Sequence, residues 1–188
     1  MKNKVCDQSN IHLIGIPKKY QAAVSVRAFE GLDIAIQVFK YKKNIDVALF
    51  GAEAWEVHPK MSLSVFTLGR SQRIDFKIDF SRKNISTIID IELPLTLQHE
   101  VAHVVRESTV GYSKTLLDYF IDEGVGCFVE QTMMPERKIP YIQKINNEQD
   151  HWKKAKEVLL KKTNWNGSRE WFFGTGACLI GLGFGSVS

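Results

Sequence analysis

The chain has 188 residues, of which 44% are hydrophobic and 24% charged, with a formal net charge of +4. That is the composition of an ordinary globular protein with room for one cored domain, 1–188, and it carries no internal repeat or low-complexity linker. Cys6, Cys127 and Cys178 are too few and too widely spaced for a disulfide framework or a zinc ribbon.

The amino terminus has no apolar run of signal-peptide length, so a reducing cytoplasm is the expected compartment. Residues 1–17 read as loop-like or partly extended, ending at Pro17. From Lys18 to about Lys42, Ala22, Val26, Phe29, Ile36 and Phe39 recur near helical spacing, with Gly31 inside the run. IDVALFG (45–51) has the apolar density of a buried strand. In SLSVFTLG–RS–QRIDFKIDF (62–80), Ile74, Phe76, Ile78 and Phe80 alternate with Asp75, Lys77 and Asp79. Strict alternation predicts one buried and one wet face, and the short polar link predicts an antiparallel hairpin. A strand of this kind can pair with an extended peptide.

Residues 84–92 lead into LPLTLQHEVAHVVRES (93–108), whose centre reads His-Glu-x-x-His: His99, Glu100 and His103. Pro94 suits a first helical turn, Thr96 offers a cap, and Leu97, Val101, Val104 and Val105 form an apolar face. On a helix His99 and His103 lie one turn apart on the same side, where one zinc ion takes both. Glu100 stands beside them as a candidate general base.

Ser113 is a candidate N-cap for a second helix running to about Gln131, and EQDHWKKAKEVLLKKT (148–163) reads as a third. The Lys-rich run at 153–162 alternates with Ala155, Val158, Leu159 and Leu160, the pattern of a solvated helix face and not of a nucleic-acid site. Residues 171–188 carry no charge. Five glycines in those 18 residues make a poor membrane span, so a buried chain end is expected and no membrane partner.

A catalytic zinc site usually has three protein ligands. Asp118, Asp122 and Glu123 on the second helix are the candidates. Glu123 shares a face with Leu116, Phe120 and Cys127, which favours it and leaves the other two open. Gly124 and Gly126 cost roughly 1 kcal/mol each in a helix interior. Close approach to the HEVAH helix would explain them.

HEVAH followed after 19 intervening residues by Glu123 has the spacing of the gluzincin metallopeptidases, the thermolysin-like arrangement. QHEVAHVVRES and LLDYFIDEGVGCFVE resemble more closely a bacterial family of zinc-dependent proteases long filed as a domain of unknown function. In that family a Trp-Phe-Gly-type segment follows, similar to REWFFGTG (169–176). The resemblance implies an α+β zincin-like domain: a small antiparallel or mixed sheet packed on the HExxH helix, with a second helix supplying the third ligand.

It also implies a zinc metallopeptidase acting on peptide or protein substrates, with His99, His103 and Glu123 as Zn2+ ligands and Glu100 as the base. Cys127 stands where gluzincins often have an acid, and GLGFG (181–185) lacks the tyrosine of the family's Gly-Tyr-x-x-Gly-like segment. With the chain stopping at Ser188, a shortened or altered C-terminal end is implied. Asp118, Asp122 and Glu130 are candidates to orient the histidines, and Tyr141 and His151 to stabilise an oxyanion. The alternative is a zincin-like protein that keeps its metal for a structural or regulatory purpose, for which Glu100 has no use.

Overall fold

The alternation in RIDFKI is realised as a strand with Ile74, Phe76 and Ile78 fully buried. On its other face Arg73 pairs with Asp75 at 2.7 Å and Lys77 with Glu56 at 2.7 Å. The structure, a computed structural model, describes residues 9–58, 61–137 and 148–173. The readings for Cys6, Tyr141, Cys178 and GLGFG (181–185) lie outside them, as does the side chain of His151. The chain divides into two compact units, Met1–Val110 and Gly111–Ser188.

The first unit holds a four-stranded mixed sheet in the order β1-β2-β4-β3, formed by β1 (Asn10–Ile14), β2 (Asp46–Gly51), β3 (Leu63–Leu68) and β4 (Arg73–Ile78). β1 and β4 flank β2 in parallel. β2 buries Val47, Ala48 and Leu49 in succession, as a strand covered on both faces does. β3 pairs antiparallel with β4, Thr67 opposite Ile74 and Val65 opposite Phe76, so the hairpin expected over 62–80 is present. Asp79 departs from the alternation. It is 1% exposed, accepting from the backbone N–H and hydroxyl of Ser81 and from Arg82. The Ser81 hydroxyl, more than the Arg82 charge, holds the Asp79 carboxyl below its usual pKa.

The helix expected from Lys18 is α1 (Lys18–Phe39), but its buried face is not the expected one. Ala22, Val26 and Phe29 are exposed, while Val24, Ala28, Gly31, Leu32, Ala35 and Ile36 are buried. The reason is steric. A small-residue seam at Ala28, Gly31 and Ala35 lets a second helix come close, whereas a seam built on Phe29 would hold it off. A Cβ on Gly31 would stand 2.7 Å from the carbonyl oxygen and 2.8 Å from the Cα of Pro94. These are backbone atoms that cannot rotate away. Gly31→Val should therefore cost about 2–3 kcal/mol by overpacking. Gly31→Ala should cost less, since its helix propensity returns about 1 kcal/mol. A denaturant midpoint in Gly31→Val equal to that of the wild type would mean the seam has room to spare.

That second helix is the one carrying HEVAH. α2 (Ile85–Thr87), a π-helical turn (Ile88–Glu92) and α3 (Leu93–Val110) follow one another directly. Helical backbone thus starts before Pro94, and Thr96 is a buried residue inside α3 and not its cap. Pro94 has no N–H to return to the carbonyl four residues back, and a widened π turn is a standard way to pass such a residue without breaking the helix. Leu97, Val101 and Val104 are fully buried in a core shared with α1 and the sheet, and Val105 packs partly against it.

In the second unit α4 (Leu116–Met133) is capped by Thr115, not Ser113. The Thr115 hydroxyl accepts from the Asp118 backbone N–H at 3.2 Å, and the Asp118 carboxylate accepts from the Thr115 N–H at 2.9 Å. This is a capping box with Asp in the usual Glu place. The helix expected over 148–163 is shorter, α5 (Glu148–Lys156). The chain then turns so that the Leu159 carbonyl accepts from Leu117 N–H and the Lys114 carbonyl from Thr163 N–H. The first of these satisfies a first-turn N–H of α4 that no helical carbonyl can reach. α6 (Trp165–Phe173) brings Phe172 edge-on to Phe120, with ring centroids 5.3 Å apart, and Leu116, Cys127 and Ala155 complete this smaller core.

Candidate metal centre

The periodicity of α3 puts its apolar residues into the core of the first unit and turns His99, Glu100 and His103 to a common place. One ligand atom from each of the three lies within 4.8 Å of those of the other two. The imidazole rings are 4.7 Å apart between centroids and inclined by 72°. Both histidines are buried, at 5% and 8% exposure, and Glu100 is half-buried. Two imidazole nitrogens and a carboxylate gathered in this way are donor types that suit a zinc-sized ion.

The cluster has a neighbour that sequence reasoning passed over. Leu63, Val65 and Thr67 form the row of β3 opposite Ile78, Phe76 and Ile74, the buried face of β4. Thr67 is therefore a hydroxyl at an inward position, and it donates to Glu100 Oε2 at 2.5 Å. The available signal was Thr67 falling in phase with Leu63 and Val65. The helix residue it meets is 33 positions away, which local pattern cannot supply. One step along, a Cβ on Gly69 would lie 2.6 Å from Cβ of Glu107. Glu100 and Glu107, seven residues apart, face the same way from α3, so strand end and helix are in close contact at two points.

The acids of the second unit have partners within that unit. Asp118 serves the α4 cap, accepting also from Lys114 N–H and the Thr115 hydroxyl. Asp122 accepts from the Ser113 hydroxyl at 3.3 Å, and Glu130, 2% exposed, pairs with Arg137 at 3.2 Å. Glu123 is half-buried on the same helix. A Cβ on Gly124 would meet nothing within 4 Å among the described residues. Burial, reinforced by Glu123 and Glu130, pushes the Cys127 thiol far above its ordinary pKa.

A His-Glu-x-x-His cluster on a helix packed against a small mixed sheet defines an α+β protein with a group able to hold a metal ion. Residues 30–184 match the profile of a family described as a predicted Zn-dependent protease, and the chain belongs to that family. No curated protein and no solved structure matches it. No helix among the described residues is long and apolar enough to cross a membrane.

Proposed function

We propose that the chain is a zinc-dependent peptidase of the gluzincin type, a single zincin-like domain. His99 and His103 hold the metal with Glu123 as third ligand, and Glu100 is the general base. The observation that carries this reading is the convergence of His99, Glu100 and His103 within 4.8 Å on one buried turn of α3, in a chain of that family. Engagement of Asp118 by its helix cap supports Glu123 over that residue. An antiparallel strand beside the HExxH helix supports the zincin-like reading.

Zinc at such a site lowers the pKa of water to about 7 and polarises a carbonyl oxygen. Glu100 takes a proton from the water that attacks the peptide carbonyl, then delivers it to the amine nitrogen as the C–N bond breaks. β3 is an edge strand whose pairing partner among the described residues is β4, so its outer side is suited to an extended peptide. Phe66, 63% exposed, offers an apolar contact to a substrate side chain.

The test is the purified protein itself. One zinc per chain and cleavage of casein that a chelator abolishes and added zinc restores are the expected results. Stoichiometric zinc with no cleavage across a broad peptide library would favour the alternative, a zinc-binding protein with a structural or regulatory role.

A further inference from the structure

We propose that Thr67 is a positioning residue for Glu100: its hydroxyl fixes one carboxylate oxygen so that the other is directed to the attacking water. The inference rests on Glu100 being the general base. A glutamate on a helix surface has three rotatable bonds, and a base that swings loses most of its advantage, since misplacement by about 1 Å can cost 10²-fold. Thr67 restrains Glu100 from outside its own helix. Its hydroxyl donates to Oε2, and hydrogen bonds to a carboxylate are among the stronger ones.

The donor is itself well held. Thr67 is β-branched and stiff at χ1, it sits in a strand paired residue by residue with β4, and the next turn is seated against α3 where Gly69 lies under Glu107. An apolar residue would continue the inward row of Leu63 and Val65 equally well. The hydroxyl at this place has its use in the carboxylate opposite. With Oε2 occupied, Oε1 is the oxygen left for the proton.

The closing experiment has two readouts. In the zinc-loaded enzyme, Thr67→Val, which keeps shape and removes the donor, is expected to lower kcat about 10- to 100-fold with KM and zinc content unchanged. Thr67→Ser, which keeps the donor, is expected to return most of it. In the metal-free protein, Thr67→Val should lower Tm by several degrees when Glu100 is present and leave it unchanged when Glu100 is already Ala. Full kcat in Thr67→Val, equal loss in Thr67→Val and Thr67→Ser, or an equal Tm change in both backgrounds would overturn the inference while leaving the peptidase reading standing. A wild type without activity would overturn both.

Discussion

Glu100→Gln is expected to keep its zinc and its fold and to lose peptidase activity by roughly 10²–10⁴, the usual worth of a general base. Glutamine fills the same volume and its amide oxygen can still accept from Thr67, so the strand–helix contact is preserved. What it cannot do is take a proton from water and give it to a leaving amine. Its effect should therefore fall on kcat, and on kcat/KM in equal measure. The measurement is casein or peptide cleavage alongside elemental zinc in the same preparation, with the chelated wild type as the floor. A Glu100→Gln protein that cleaves at more than a tenth of the wild-type rate would remove Glu100 from the chemistry. One that has also lost its zinc would make Glu100 a ligand, as its place within 4.8 Å of both histidine donors allows.

The parts of the fold that are legible in the sequence are those where one local rule dominates. HEVAH needs only the helical period to bring His99 and His103 together, and RIDFKI needs only the period of two to bury Ile74, Phe76 and Ile78. Where two rules compete, the sequence misleads. Ser113 and Thr115 are both plausible caps, and the choice is made by which hydroxyl Asp118 can answer three residues on. Thr96 has the side chain of a cap, yet the π turn carries the helix through Pro94 from upstream and leaves Thr96 inside it.

Other features depend on partners far along the chain. The end of α5 is set by hydrogen bonds from Leu117 to Leu159 and from Thr163 to Lys114. The face of α1 is set by what Gly31 must admit, and a period of 3.6 in large apolar residues pointed instead at Phe29, which is 46% exposed. Thr67 belongs to the same class. Nothing local distinguishes a threonine that meets a carboxylate from one that fills a strand, and the distinction is made by Glu100 arriving from α3.

His103→Ala is expected to abolish stoichiometric zinc, taking the content from one ion per chain to near none after dialysis. Two imidazoles one helical turn apart act as a chelate, and losing one leaves a single histidine and a carboxylate, too few for a tight zinc site. Since His103 is buried, the variant is compared with the metal-free wild type, so that lost packing is not mistaken for lost metal. Zinc at a hundredfold excess over Kd should stabilise the wild type by about 2.7 kcal/mol and leave His103→Ala unmoved. The same titration ranks the third ligand. Glu123→Ala should weaken zinc binding more than Asp122→Ala. Asp118→Ala should keep its zinc and lose about 1 kcal/mol of stability with its helix cap. If Asp118→Ala lost zinc most severely of the three, Glu123 would not be the ligand and the gluzincin arrangement would fall with it.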